Sequence, residues 1–348
     1  MLTVAIAGAT GAVGEEFLRV LEQRRFPVGR LVPLASSRSV GRAVRFAGQD
    51  HPVADLATFD FRGVDVAFFS AGAERSREHG PRAAKAGALV VDNSSAFRMD
   101  PRAPLVVPEV NLDAARRHEG IIANPNCSTI LLVVVLAPLL RRAPVRRVVV
   151  STYQAVSGAG AKGLDELARQ HEEERTGRPL TTSAFPYPIA SNVIPFVQAF
   201  GEGDLTVEEW KMVKETRRIL EHPTLPISAT CVRVPVRRAH SEAVNVEFER
   251  PVSPDEARAW LRAAPGVAVV DDPAHLRFPT PRDAEGLDDV LVGRVRRDPG
   301  CPTALDLWLT GDQLRKGAAL NAVQIAEALM PTASRRGRAV VGEPPGLP

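Results

Sequence analysis

Little in this 348-residue chain suits it to a membrane, an export route or a nucleic acid. Its longest apolar run, Ile130 to Leu140, has 11 residues and contains Pro138. That is well short of the roughly 20 residues that span a bilayer, so the run reads as a buried helix. The N-terminus moves straight into an alternating strand, with no basic segment or cleavage site, so the cytoplasm is the expected compartment. Cys127, Cys231 and Cys301 are odd in number, far apart and free of CxxC spacing; this argues against a disulfide framework or a zinc site, and no metal is expected. Aromatics make up only 5% of residues and the formal net charge is +3. Neither a stacking platform nor a strongly basic surface for nucleic acid is available, whereas a small anionic ligand is compatible with the balance.

The 45% hydrophobic content is ample for packed cores, and the length fits about two domains at ~100–200 residues each. Up to about residue 125, short apolar runs alternate with helical periods. Strands are predicted at Leu2–Ala7, Leu31–Ala35, Val64–Phe69, Ala88–Asp92 and Ile121–Ala123. The first helix shows its buried stripe at Val13, Phe17, Val20 and Leu21. This is βαβ alternation around a parallel sheet, a Rossmann-like α/β domain. After Pro144 the strands lengthen, at Val145–Tyr153, Ile227–Val236, Ala243–Glu249 and Ala304–Leu309, with helices near Leu164–Glu174 and Val207–Leu220. That texture predicts an α+β domain on a largely antiparallel sheet whose open face could pair subunits. The expected division is residues 1–126 with a helix at 317–330, then 127–316, then a disordered tail at 331–348.

Gly8, Gly11 and Gly14 stand between the first strand and helix in GxxGxxG spacing, where bare N–H groups and the positive helix end can approach a pyrophosphate. A glycine-rich turn alone could equally be a tight strand-to-helix connection. The second strand distinguishes two cofactors. No Asp or Glu occurs from Gln23 to Gln49 to hold the ribose 2′-hydroxyl of NAD, whereas Ser36, Ser37 and Arg38 follow the strand. Two hydroxyls and a guanidinium suit the 2′-phosphate of NADP.

Cys127 lies in NPNCST, at the entrance to the apolar helix. A free cysteine is most often an inert buried residue, but here a helix N-terminus directs its partial positive charge at the sulfur, and a lowered thiol pKa is expected. A thiolate beside a nicotinamide suggests acyl-level redox chemistry. Among the seven histidines, His240 in RVPVRRAHSE is the candidate general acid/base, against the ordinary reading of a polar surface group. Arg233 interrupts a valine-rich strand and is either a charge on a wet sheet face or a fork for a substrate carboxylate. Thr206 to Glu209 form a capping box that fixes a helix start, placing Glu208 and Lys211 on one face. They are a surface ion pair, or functional groups if that helix end faces the thiol. QAVSGAG, Gln154 to Gly160, has enough glycine for a ligand to approach its backbone.

Taken together, GATGAVG, SSR, SAGA, DNSSAFR, PEVN, NPNCST, QAVSGAG, EEWK, RVPV…H and KGAALNAVQIAE resemble the aspartate-semialdehyde dehydrogenase family, in order and over nearly the whole chain. The resemblance implies an N-terminal NADP-binding domain, a C-terminal catalytic and dimerisation domain, and a homodimer. It implies NADPH-dependent reductive dephosphorylation of L-aspartyl 4-phosphate to aspartate semialdehyde and inorganic phosphate, on the route to lysine, methionine, threonine and isoleucine. By similarity Cys127 attacks the acyl phosphate, His240 moves protons and Gln154 positions the acyl-enzyme. Arg233 pairs with the α-carboxylate, Glu208 with the ammonium group, and Arg98, Asn93 and Lys211 with phosphate. NADP falls to Gly8, Thr10, Gly11, Ala12, Val13, Ser36, Ser37, Arg38, Ser70, Ala71, Gly72, Ser157, Gly158 and Asn321. Ala73, where a second glycine is expected, and Gln313, where Asn is expected, depart from the pattern in ways that bear on cofactor grip. Competing readings are N-acetyl-glutamyl-phosphate reductase, whose substrate lacks an ammonium for Glu208, a non-catalytic NADP sensor, and a Cys-His hydrolase, which leaves the glycine loop unexplained.

Overall fold

Two six-stranded sheets carry the computed structural model, which describes residues 1–330. The expected disordered tail at 331–348 lies outside the described residues. The first sheet is assembled from apolar runs buried on both faces, as parallel strands with helical crossovers require. In chain order its half contains β1 (Leu2–Ala7), α1 (Ala12–Gln23), β2 (Val28–Ala35), a hairpin of β3 (Ala43–Phe46) and β4 (Gln49–Pro52), β5 (Ala54–Asp55), β6 (Val66–Phe69), α2 (Ala73–Lys85), β7 (Leu89–Asp92), α3 (Pro108–Asn111) and β8 (Ile121–Ala123). The sheet order is β5-β2-β1-β6-β7-β8, with every pairing parallel. Neighbours of β1 therefore leave in opposite directions, and the crevice at its carboxyl end is the usual ligand site of such sheets. Gly8 lies there, its N–H donating to Leu34 O at 2.8 Å.

The remainder comprises α4 (Cys127–Leu140), β9 (Val145–Gln154), α5 (Ala161–Arg175), α6 (Val207–Ile219), β10 (Ile227–Arg233), β11 (His240–Phe248), α7 (Pro254–Arg262), β12 (Val267–Val269), α8 (Pro281–Ala284), β13 (Val290–Asp298), β14 (Cys301–Gly311) and α9 (Leu320–Leu329). Its sheet runs β10-β9-β11-β14-β13-β12. The inner pairings are antiparallel, as expected, but the edge pairs β10–β9 and β12–β13 are parallel, so the sheet is mixed. Helix α4 is apolar all round because it is enclosed: Ile130 to Leu136 are all buried in one cluster with Val150, Val246 and Leu307 of the sheet.

Where strand ends differ from expectation, local chemistry explains the difference. β10 stops at Arg233 rather than Val236, because Pro235 has no N–H to continue a ladder. The last helix is preceded by a π-helical turn, Arg315–Ala319, in which Ala319 N–H donates to Leu314 O at 3.0 Å. Beyond it, Leu320, Val323 and Ile325 pack with Phe17, Val20 and Leu21 of α1. The chain's end thus closes over its first helix and carries residues 312–318 past the cleft.

Candidate active site

The glycine loop has the shape that a pyrophosphate needs. Gly8 is at φ 91°, and a Cβ there would come within 2.4 Å of Ser70 O. A Cβ on Gly14 would meet Gly8 O at 2.3 Å, so only glycine lets α1 start this close to β1. Gly11 caps α1 without a side-chain hydrogen bond, which leaves the first-turn N–H groups for a ligand. Gly11, Ala12, Val13, Ser70 and Gly72 line one wall of a cleft of about 540 Å3. Thr10 and Ala71 are half-buried beside that wall. The opposite wall carries Cys127, Gln154, Ser157, Gly158, Glu208, Lys211 and Arg233, and Asn93 and Arg98 complete it. Loop and thiol therefore share one cleft.

Cys127 is the first residue of α4 and half-buried. Its helix is capped by Asn126, whose Oδ1 accepts from Ser128 N–H at 3.1 Å and Thr129 N–H at 3.2 Å; Ser128 and Thr129 receive the cap rather than supply it. Gly317 of the π-turn lies against the nucleophile, since a Cβ there would be 2.9 Å from Cys127 Cβ. The expected low thiol pKa is not what these surroundings produce. Burial, and then the Glu208 carboxylate, push the thiol up to about 11, against Arg98, Arg233 and Lys211. The helix end is outweighed by desolvation, and Cys127 rests as a thiol. Cys231 is buried and its thiol is pushed up further, again by burial first.

Charges of both signs are set around this thiol. Glu208 and Lys211 are no surface pair: Glu208 is 3% exposed, and its Oε2 accepts from Lys211 Nζ at 3.1 Å. Its Oε1 accepts from Asn126 Nδ2 at 2.9 Å and Gln154 Nε2 at 3.3 Å. Burial pushes the Glu208 carboxyl up, but Lys211, Asn126 and Arg233 together hold it below its ordinary value. Arg233 occupies the buried face of β10 with Ala229 and Cys231. Its Nη1 donates to Ala155 O at 2.7 Å, and its guanidinium lies 5.8 Å from the Phe185 ring centroid. The wet-face alternative for Arg233 is excluded by that burial. Arg98 is fixed by Glu215 (Nη1 to Oε1, 3.1 Å), Asn124 O (3.0 Å) and Asn93 O (2.7 Å). Both side-chain atoms of Asn93 are buried without a partner among the described residues, as suits a group awaiting a ligand.

His240 opens β11 and is fully buried behind the Gln154–Gly160 loop. Its Nδ1 accepts the Ala155 N–H at 3.0 Å. An amide N–H can only donate, so the neutral ring carries its hydrogen on Nε2. That atom has no partner among the described residues. Burial and then Arg233 push the imidazole well below its ordinary value, so the ring is neutral at pH 7. A Cβ on Gly158 would come within 2.8 Å of Arg233 Nη1 and 3.4 Å of His240 Nε2. Arg233 lines the cleft itself, whereas His240 does not: its Nε2 is buried and faces the cleft only across Gly158, where the lack of a Cβ leaves it room.

The far end of the cofactor crevice departs further from expectation. Ser36 and Ser37 line a second cavity of about 290 Å3 with Asp55, Glu74, Arg75 and Glu78. Arg38, in the turn Ser37–Ser39, is exposed beside it. An acid does adjoin the end of β2: β5 pairs Asp55 with Ala35, a tertiary neighbour invisible in the segment scanned. Arg75 brings a second guanidinium from the first turn of α2. Asn321 does not reach the cleft. It is fully buried, donating to Asn124 Oδ1 at 2.7 Å and Val106 O at 2.9 Å while accepting from the buried Lys316 Nζ at 2.9 Å. Its place at the wall is taken by Asn124. Asn126, Glu215 and Arg75 went unnoticed in the sequence; for Glu215 a signal existed, since it lies seven residues beyond Glu208 on one helix face. Ala73 and Gln313, the two departures, both line the cleft.

Two family profiles match the chain: "Semialdehyde dehydrogenase, NAD binding domain" over residues 3–118, and "Semialdehyde dehydrogenase, dimerisation domain" over 136–316. The aspartate-semialdehyde dehydrogenase of Aquifex aeolicus is 50% identical over 331 residues, covering 94% of this chain and 97% of its own. That of Bacillus subtilis is 46% identical, covering 94% and 97%. Among solved structures, aspartate semialdehyde dehydrogenase II of Vibrio cholerae complexed with ASA superposes with a TM-score of 0.92 at 47% identity, over 94% of this chain and 98% of that one. The Candida albicans enzyme with NADP gives a TM-score of 0.72 at 26% identity, with coverages of 94% and 98%.

Proposed function

Because the chain belongs to the aspartate-semialdehyde dehydrogenase family, we infer that it reduces L-aspartyl 4-phosphate to L-aspartate 4-semialdehyde with NADPH, releasing phosphate. This is the step that feeds lysine, methionine, threonine and isoleucine synthesis. One observation supports the assignment above others: a thiol, a phosphate-cradling loop and charges of both signs converge on a single cleft. Residues 1–126 with 317–330 are assigned to cofactor binding, and 127–316 to catalysis and to the homodimer that the open sheet face around Tyr153 and Trp308 would form. The proposed compartment is the cytoplasm; no helix among the described residues is long and apolar enough to cross a membrane.

The NADP site fits the residues present. Gly8 makes the close turn, and Thr10, Gly11, Ala12 and Val13 offer the start of α1 to the pyrophosphate. Ser70, Ala71 and Gly72 would flank it, Ser157 and Gly158 would face the nicotinamide end, and Ser36, Ser37 and Arg38 would hold the 2′-phosphate. Bound there, NADPH supplies hydride to the acyl carbon.

The chain's own side chains account for the remaining chemistry. Glu208 accepts the substrate ammonium and Arg233 the α-carboxylate, which places the acyl phosphate before Cys127; Arg98, Asn93 and Lys211 hold the phosphoryl oxygens. The sulfur adds to the acyl carbon and the C–O bond to phosphate breaks. The thiol proton passes to the departing phosphate oxygen, so the leaving group is the hydrogen phosphate dianion and a thiol with a pKa of about 11 need not ionise beforehand. The tautomer of His240 directs Nε2–H at the carbonyl oxygen, where it stabilises the oxyanion that forms on reduction. Gln154, held by Glu208, orients the acyl group. Collapse of the tetrahedral adduct releases aldehyde and Cys127 thiolate, which regains a proton.

Steady-state NADPH formation from aspartate semialdehyde, NADP and inorganic phosphate tests the reading in reverse. Turnover should stop when phosphate is omitted; sustained turnover without it would overturn the assignment.

A further inference from the structure

An ion network buried between α1 and the histidine loop is used by none of the roles above. Arg238 donates from Nε to Asp312 Oδ2 at 2.7 Å and from Nη2 to Glu16 Oε2 at 2.8 Å. Both acceptors are enclosed, Glu16 at 2% exposure and Asp312 at 0%. Asp312 cannot easily move, because its Oδ1 also accepts the N–H groups of Leu314 and Arg315 at 3.0 and 3.2 Å. Glu16 is on the cofactor helix, five residues beyond its Gly11 cap.

The residue after Arg238 is strained. Ala239 has φ 69°, a left-handed conformation that a residue with a Cβ rarely adopts. It is held from both sides: by the Arg238 ion pairs before it, and by Gln313 Oε1, which accepts the Ala239 N–H at 2.8 Å. Gln313 Nε2 in turn donates to Ser157 Oγ, joining the histidine loop to the Gln154–Gly160 loop. His240 follows directly, so the setting of Ala239 fixes how the chain enters β11 and, together with the Ala155 N–H on Nδ1, where the ring points.

We propose that Arg238 is a positioning residue: its ion pairs to Asp312 and Glu16 keep Ala239 in its left-handed turn, hold His240 Nε2 against Gly158 at the edge of the cleft, and tie that placement to the cofactor helix. The proposal rests on the assignment of His240 to the reaction, and its test includes a readout that needs no turnover.

In a histidine ring 1H–15N spectrum of the full-length protein without ligands, the parent should show His240 as a single Nε2–H tautomer. Arg238→Ala should give a mixture of tautomers. Its kcat should fall about ten- to a hundredfold, the scale of a catalytic group misplaced by about an ångström, with KM for aspartate semialdehyde within about threefold. Arg238→Lys, which keeps a cation between the two carboxylates, should recover at least half of that loss on a logarithmic scale. Should Arg238→Ala fail to fold, Glu16→Gln carries the same spectral and kinetic test. An unchanged His240 spectrum in the folded variants, or a kcat loss that follows only the folded fraction, would overturn the proposal. A parent enzyme lacking phosphate-dependent turnover would instead sink the functional reading and leave the spectral test standing.

Discussion

Replacing Glu208 by glutamine should weaken substrate capture and, at the same time, make the nucleophile more reactive toward a simple electrophile. The carboxylate is ionised at neutral pH, since Lys211, Asn126 and Arg233 outweigh its burial. Losing it removes a charged acceptor for the substrate ammonium. Charged hydrogen bonds are worth roughly 1.5–3 kcal/mol, so kcat/KM for aspartate semialdehyde should drop about ten- to a hundredfold. The second effect has the opposite sign. Glu208 is, after burial, the next cause that lifts the Cys127 thiol to about 11. At pH 8 such a thiol is only roughly 0.1% thiolate. Each unit of pKa removed raises the thiolate about tenfold, and the lower nucleophilicity of the weaker base trims this to about threefold in alkylation rate. Lys211 keeps Gln198 Oε1 at 2.7 Å, so the fold should survive. The assay pairs steady-state kinetics with the iodoacetamide rate at pH 8, followed by the mass of the Cys127 peptide. Unchanged kcat/KM, or alkylation slower than in the parent, would refute the electrostatic account of the site.

At Gly158 the backbone lies outside the left-handed region, so Gly158→Ala should fold with Tm within about 2 °C of the parent. The new methyl would press on Arg233 Nη1 at 2.8 Å and cost about tenfold or more in kcat/KM; parental kinetics would show that this face does not adjoin substrate. Arg38→Ala should raise the NADP dissociation constant about ten- to a hundredfold and leave NAD nearly unchanged in fluorescence titrations. Equal losses would move the discrimination elsewhere, Arg75 first. Glu242, buried with neither carboxylate oxygen partnered among the described residues, has its pKa raised well above the ordinary value by burial. Stability from a raised carboxyl is fully present below the unfolded pKa of about 4.3 and is lost as pH rises through the folded value. Glu242→Gln should therefore raise Tm by a few degrees at pH 8 and by less at pH 5; an equal shift at both would show that Glu242 is paired.

The parallel half was legible because its strands are apolar runs broken by glycine turns, and β1 and β8 fall where the periodicity put them. The β3–β4 hairpin was not legible, since its turn puts Ala47 at φ 47° before Gly48 at φ 77° and alanine gives no sign of a left-handed turn. β13 was hidden because Gly293 and Arg294 interrupt its alternation, where the register with β14 shifts. At the site, motif spacing identified the groups that line the cleft but not what surrounds them. Whether Cys127 is ionised depends on burial and on Glu208, which is 81 residues away in sequence; the helix terminus, the only local cue, pointed the wrong way. Asp55 beside Ser36, and Asn321 behind Asn124, are likewise products of tertiary pairing.

The most direct test of the thioester chemistry is a single turnover without phosphate. Mixed with aspartate semialdehyde and excess NADP, the enzyme should release one NADPH per intact Cys127 and then stall. Mass spectrometry should find an aspartyl adduct on the peptide carrying Cys127, which added phosphate discharges. Cys231→Ala should behave like the parent, and Cys127→Ala should show neither burst nor adduct. A burst that persists in Cys127→Ala, or an adduct on any other residue, would contradict the account.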